Sequence, residues 1–451
     1  MRVTIRREII LDAPGPLLSP PTAEPVADAA SAHPPTFRGL IARNRNFRLL
    51  WFGQIVSQLG DWFNVVAVYA LLLDLTKSAT AVAVMMVVQT LPIAVFGPAA
   101  GVIIDRVDRR RLMVWTDVAR GVLMFGLLLV RDAGDIWLAY VVIALAVIAT
   151  AFFEPARSAI LPSIASRDEL MPANALSTAT WATMLAAGAA IGGLIMTLLG
   201  RDVAFVLNAA SFFASAWFIG RIRAPASPGV ARATGTRDGA RQATFLDGLR
   251  YIGAHARVAA FLSIKGAWAI AGGVMLLLTV FGERVVPVAG STAAGIGVLY
   301  AARGVGSGLG AVGTRFLLGS DEERLRSWVG PAYLAVGVWY IAFALSPTIW
   351  LAAGAVAAAH VGGSVLWIAS AVLLQGIVPD EYRGRVFAIE FALLTLVSAT
   401  MSYTTAFALD HLHVAPRVMG VILGAAFFVP GLAWLLASRG GQPSGSLEPG
   451  T

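Results

Sequence analysis

Twelve stretches of this chain meet or approach 20 consecutive, mostly apolar residues. They lie near 48–73, 79–104, 112–130, 136–154, 176–199, 203–222, 258–281, 291–317, 328–346, 349–376, 387–408 and 418–437. A helix rising about 1.5 Å per residue needs about 20 such residues to cross a hydrocarbon layer about 30 Å thick. Twelve of them leave a soluble fold little room. Charged residues make up 13% of the chain, against about 25% in an ordinary globular domain. A surface so poor in charge cannot keep an inventory that is 57% hydrophobic in solution, so most of the chain must sit in lipid. The absence of cysteine excludes disulfide frameworks, thiolate zinc and iron–sulfur sites and cysteine nucleophiles together.

Residues 1–37 read as a disordered tail. Pro14, Pro16, Pro20, Pro21, Pro25, Pro34 and Pro35 interrupt any helix there, and no apolar core with a small-residue cleavage site suggests a signal peptide. With an even number of spans, both termini lie on one side. That side carries 26 of the 34 Lys and Arg. The opposite loops carry five, Lys77, Arg131, Arg201, Arg284 and Arg417. Cytoplasmic loops concentrate basic residues, so both termini are expected in the cytoplasm. The net charge of +8 and the pI near 10.3 therefore report topology, and a nucleic-acid partner is not expected. The longest internal loop divides the stretches six and six, and Phe245 to Ile252 within it has the apolar spacing of a short amphipathic surface helix. The expected organisation is a 1–37 cytoplasmic tail, a 38–222 six-helix bundle, a 223–257 cytoplasmic linker, a 258–437 six-helix bundle and a disordered 438–451 tail. The fold class is an all-α membrane protein with twelve transmembrane helices.

The loop after the second stretch reads Gly101-Val102-Ile103-Ile104-Asp105-Arg106-Val107-Asp108-Arg109-Arg110-Arg111. A glycine here lets helices approach closely, the carboxylate suits the positive start of a helix, and the arginines suit acidic groups or lipid phosphates. The segment resembles the G-x-x-x-D-R-x-x-R-R signature of the major facilitator superfamily at every signature position. With Asn44-Arg45-Asn46-Phe47 before the first span, Phe153-Glu154-Pro155-Ala156-Arg157 on the fourth and Pro379-Asp380-Glu381-Tyr382-Arg383-Gly384-Arg385 before the eleventh, the chain is similar to the bacterial exporter branch that includes the enterobactin exporter and macrolide-efflux-like proteins. The resemblance covers about residues 38–437. It implies that Gly101, Asp105, Arg106, Arg109 and Arg110 form a gating loop, with Asp105 facing the start of the eleventh span. The copy expected between spans eight and nine is degenerate, and the fourth span lacks the buried arginine of many drug–proton antiporters. Gly188, Gly192 and Gly193 on the fifth span resemble the exporters' G-P-x-x-G-G element with Ala189 in place of proline. They serve helix packing, or a bend that seals the pore.

Ionisable groups in mid-membrane are costly and usually face a partner or a wet cavity. Asp61 lies near the middle of the first span, with Gln54 and Gln58 on its helical face and Asn64 continuing the stripe. This stripe marks either a cavity wall with Asp61 coupling protons or cationic substrate, or a structural hydrogen bond. Arg303, among glycines in the eighth span, is either the counter-ion of Asp61, a binder of anionic substrate, or a packing residue. Gln89 is an uncharged cavity candidate. Asp117 and Arg120, three residues apart, are expected to neutralise each other. Lys265 is expected to snorkel to the cytoplasmic surface, and Glu390 to cap its helix. Asp410, His411 and His413 lack metal-ligand spacing, and no metal or other cofactor is expected. The reading is a secondary transporter in the bacterial inner (cytoplasmic) membrane. It exports a small amphipathic molecule (drug, siderophore or natural product) against protons by alternating access, as a monomer in the lipid bilayer. Uptake or lipid flipping by the same fold is the alternative, and a membrane receptor or scaffold is the alternative outside transport. No enzymatic role is expected.

Overall fold

Asn44 separates two helices. It follows the short helix Phe37–Arg43, and its side chain accepts a hydrogen bond from the Phe47 N–H at 2.9 Å, starting the helix α1, Arg45–Thr76. Lys77 then takes a left-handed backbone conformation (φ 54°) and closes α1. This computed structural model describes residues 37–104, 106–223, 245–288, 290–319 and 321–439.

The second stretch, α2 (79–104), is two helical pieces, Ala79–Val88 and Leu91–Ile104. Gln89 and Thr90 form a turn just ahead of Pro92, whose missing N–H breaks the helical ladder. There follow α3, Arg109–Leu129; α4, Ala133–Ile164; α5, Arg167–Leu199; and α6, Arg201–Gly220. Next come α7, Ala256–Val285; α8, Thr292–Leu317; α9, Glu322–Leu345; α10, Ile349–Ile377; α11, Asp380–Asp410; and α12, Pro416–Ser438. Ser, Asp and Thr side chains cap many of these starts, as at Ser78, Asp108, Ser291, Asp321 and Thr348.

Eleven helices among the described residues are long and apolar enough to cross a membrane. The stretch outside that set is α8. It is 26 residues long, but its glycines and Arg303 hold its apolarity below that of the others. Glycine is what the position requires. A Cβ on Gly193 of α5 would stand 2.8 Å from the Ala293 carbonyl oxygen and 3.1 Å from Gly297 Cα. The two backbones therefore meet directly, as small residues permit. In the first half α1 packs on α5 and α6, and α3 on α4 and α6. In the second half α10 lies against α8 and α9, α12 against α9, and α11 against α7. The halves meet where α5 crosses α8 and α2 meets α11.

The amphipathic segment forms the helix Phe245–Ala254. Its Tyr251 ring stacks on Tyr382 at the start of α11 (4.3 Å between centroids, 11° between planes), and Gly248 packs on Arg385 and Ile389. The apolar face thus covers α11.

Candidate functional site

The polar stripe of α1 splits in two. Gln54 is buried and donates from Nε2 to the Ser177 carbonyl of α5 at 3.1 Å, tying two helices. Asn64, three residues beyond Asp61, is buried and also lies four residues beyond Gly60, on the series Gly53, Ser57 and Gly60. That face packs on α6: a Cβ on Gly60 would lie 2.6 Å from Asn208 Oδ1, and one on Gly53 3.2 Å from Ser215 Oγ. Asn64 Oδ1 and Gln58 Oε1 are buried with no hydrogen-bond partner among the described residues. Asp61 is partly buried, and among the described residues no hydrogen bond or ion pair joins it to another group. The charges acting on it are Arg120 and Asp117 of α3 and Glu154 of α4.

Those charges largely cancel among themselves. Asp117 and Arg120 form a buried ion pair, and the Arg120 guanidinium lies between the rings of Phe153 (4.5 Å) and Phe212 (4.4 Å). The mutual neutralisation expected of this pair is what the packing provides. Glu154 pairs with Arg157 at 2.7 Å, so α4 does carry an arginine, near its later end and partly exposed.

Arg303 is partly buried, 5.9 Å from the Tyr300 ring, and among the described residues no carboxylate pairs with it. Tyr300 in turn meets Trp62 (6.4 Å) and Tyr69 (6.2 Å) of α1, and the Tyr69 hydroxyl donates to Gln89 Oε1 at 2.5 Å. Gln89 is thus held by an aromatic cluster that bridges the two halves. Arg303 acts electrostatically on Tyr69, Tyr340 and His360. Among the described residues no ion pair joins Arg303 to Asp61, and neither has another ion-pair partner, Asp61 in the first half and Arg303 in the second.

Two expectations for α7 and α11 need correction. Lys265 does not reach the surface, and Glu390 does not cap a helix start. Lys265 Nζ lies 2.9 Å from Glu390 Oε2, and both side chains are over nine-tenths buried. The Ser370 hydroxyl of α10 donates to Glu390, and the ammonium sits 4.7 Å over the Trp367 ring. Each charge is the other's partner, and this keeps both inside. No spacing within either helix announces this pair, because its members are 125 residues apart.

In the Gly101–Arg111 segment two arginines bind backbone carbonyls. Arg109 donates to the Ala159 carbonyl of α4 at 2.9 Å, and Arg110 to those of Gly220 and Ile222, both at 3.1 Å, where α6 has run out of backbone partners. Gly101 lies in the last turn of α2, Arg106 is exposed, and Asp105 lies outside the described residues. On α5 the three glycines have separate tasks. Gly188 admits the Trp62 side chain, Gly192 the backbone of Phe63, and Gly193 the backbone of α8.

At the end of the molecule away from that segment, polar ties join the halves. Asp410 of α11 accepts hydrogen bonds from Ser78, Ala79 and Thr80 at the start of α2. Arg284 donates to the Lys77 carbonyl at 2.7 Å, and Thr197 and Ser291 share a hydrogen bond of 2.7 Å. Asp410 and its neighbouring histidines lack metal-ligand spacing, and nothing in that stretch alone points to this contact. The missed signal was that a lone carboxylate at one helix end can answer an Ser-Ala-Thr helix start elsewhere in the chain.

Against known proteins, a family model described as "Transmembrane secretion effector" matches residues 40–433. An uncharacterized MFS-type transporter of Mycobacterium bovis, Mb0038c, is 30% identical over 425 residues, covering 86% of this chain and 90% of that protein. The putative bacilysin exporter BacE of Bacillus subtilis is 31% identical over 179 residues, and macrolide efflux protein A of Streptococcus pyogenes 32% over 126. These two alignments take in 40% and 28% of this chain, and only 44% and 31% of the relatives' own lengths. Among solved structures, the peptide transporter POT bound to sulfate superposes with a TM-score of 0.70 at 14% identity, covering 90% of this chain and 96% of that one. The nucleoside transporter NupG superposes with a TM-score of 0.68 at 11% identity, covering 86% and 99%. At these identities the two structures speak for the fold alone.

Proposed function

Because the chain belongs to the transmembrane secretion effector family of major facilitator transporters, we propose that it exports a small amphipathic molecule in exchange for protons. It is a multi-pass membrane transporter, not an enzyme, and relatives along parts of its length are named as exporters. In the proposed arrangement α8 joins the eleven more apolar helices to make twelve spans in two six-helix bundles, 38–222 and 258–437. Both termini are cytoplasmic, in the inner membrane of a bacterium. Transport proceeds by alternating access, with the bundles rocking about a central site.

The observation that carries this reading is the pair of uncompensated charges, Asp61 and Arg303, one on each half and each partly open. A charge left without a partner in mid-membrane costs several kcal/mol on insertion scales of about +2.5 to +3.5 kcal/mol, and such groups mark substrate and proton routes. Asp61 is assigned the proton exchange. Arg303, with Trp62, Tyr69 and Tyr300, is assigned the polar and aromatic wall of the substrate site. Gln58 and Gln89 are placed on the same route. Gln54 and Asn64 support it through helix packing.

The test uses everted vesicles, a pH-sensitive dye, and erythromycin or bacilysin as probe. Probe-induced proton release is expected from the parent and is expected to vanish in Asp61→Asn at equal expression. Release that persists in Asp61→Asn removes that residue from coupling.

A further inference from the structure

The helix α2 begins where α11 ends. Asp410, the last residue of α11, reaches across to the other half of the chain and fills the start of α2. Its Oδ2 accepts from Ser78 Oγ at 2.7 Å, from the Thr80 N–H at 2.8 Å and from Thr80 Oγ1 at 2.8 Å; its Oδ1 accepts from the Ala79 N–H at 3.1 Å. Two of these donors are backbone N–H groups that a helix start leaves unpaired, and the positive end of the helix dipole faces the carboxylate. Hydrogen bonds to an ionised group are the stronger class.

Three features suit this contact to being made and broken. Asp410 is only partly buried, so on separation the carboxylate and the helix start both return to water. Ser78 also accepts the Ala81 N–H through its own side chain, at 3.4 Å, so α2 keeps a cap when Asp410 leaves. The neighbouring ties, Arg284 to the Lys77 carbonyl, Thr292 to Asp74 at 3.4 Å, and Thr197 to Ser291, are single hydrogen bonds. Asp410 alone makes four. The glycine contact of α5 with α8 is close but non-directional, and a rocking motion can roll over it.

We propose that Asp410 is a latch that holds this end of the transporter closed, and that its release from Ser78, Ala79 and Thr80 is required for this end to open. The inference rests on the alternating-access reading. It adds a positioning residue at the end opposite the Gly101–Arg111 segment, where the family resemblance implies a reciprocal task for Asp105 and the start of α11. In that scheme α11 offers its own start at one end of the molecule and its terminal carboxylate at the other. The two latches alternate.

The absence of cysteine from the chain makes the test direct. Spin labels go on Ala133→Cys and Leu412→Cys, two exposed positions at this end on opposite halves. Inter-label distances are then measured by double electron–electron resonance on purified protein in nanodiscs. The parent is expected to give a dominant short-distance population. Asp410→Ala and Asp410→Asn are expected to raise the ratio of long-distance to short-distance populations by about tenfold, the scale of losing hydrogen bonds to a charged group. Ser78→Ala combined with Thr80→Val leaves the carboxylate but removes two of its donors. It is expected to shift the ratio in the same direction by less, and it decides the matter if the Asp410 variants do not fold. Distributions that superpose on the parent's in the folded variants overturn the latch. The measurement needs no substrate, gradient or transport, so a failed exporter reading would leave its outcome legible.

Discussion

The buried pair Lys265–Glu390 offers the sharpest quantitative test, because its size separates it from an ordinary surface pair. An exposed ion pair contributes about 0–1 kcal/mol. Here Nζ and Oε2 are 2.9 Å apart and the side chains are 8% and 3% exposed, so removing one partner strands the other charge among apolar groups. That costs about 3–5 kcal/mol. The two single changes are not equivalent. Glu390→Leu leaves the Lys265 ammonium over Trp367 at 4.7 Å and Phe387 at 5.8 Å, contacts that return about 0.5–2 kcal/mol. It leaves Ser370 a second acceptor, the Phe261 carbonyl at 3.3 Å. Lys265→Met leaves the Glu390 carboxylate with the Ser370 hydroxyl alone among the contacts described here, and is expected to be the more damaging change. The double variant Lys265→Met/Glu390→Leu removes both charges and is expected to lose far less than the sum of the singles. The assay is equilibrium unfolding in mixed micelles with SDS, followed by tryptophan fluorescence and analysed as a double-mutant cycle. A coupling energy above about 2 kcal/mol is expected. A value under about 1 kcal/mol, or singles that leave stability unchanged, would refute the claim that this pair works as a buried unit.

One further outcome follows from a contact between the halves, and another from the signature segment. Gly193→Val places a branched side chain where even a Cβ would lie 2.8 Å from the Ala293 carbonyl, forcing α5 off α8. In a Thr197→Cys/Ser291→Cys background, whose parent oxygens are 2.7 Å apart, disulfide formation is expected to slow several-fold; an unchanged rate would show that the glycine is dispensable there. Asp105→Ala is expected to lower probe efflux from cells at wild-type expression, and normal efflux would remove the signature segment from gating.

Much of this protein was legible in the residues themselves, and the reason is solvent. Lipid offers no hydrogen bonds, so a spanning segment must satisfy its backbone internally and clothe itself in apolar side chains. That requirement is local, and it writes long helices into the order of residues one after another. The helices came out where the apolar runs predicted them, down to the amphipathic Phe245–Ala254. The Gly101–Arg111 pattern was enough to identify the superfamily. Even the odd member, α8, was visible as a run of glycines around Arg303.

What the residues did not disclose was pairing across distance. Asp61 and Arg303 both sit near the middle of a span, and the residues left open whether they meet. The charges near Asp61 come from α3 and α4, and Arg303 lies among aromatic rings. Lys265 looked free to snorkel until α11 supplied Glu390. Asp410 looked idle until α2 began beside it. Composition and period determine which segments become helices and that they lie in a membrane. Which charge meets which is decided only when the helices pack, because electrostatic and hydrogen-bond energies depend on separations of a few ångströms between residues that sequence leaves tens or hundreds of positions apart.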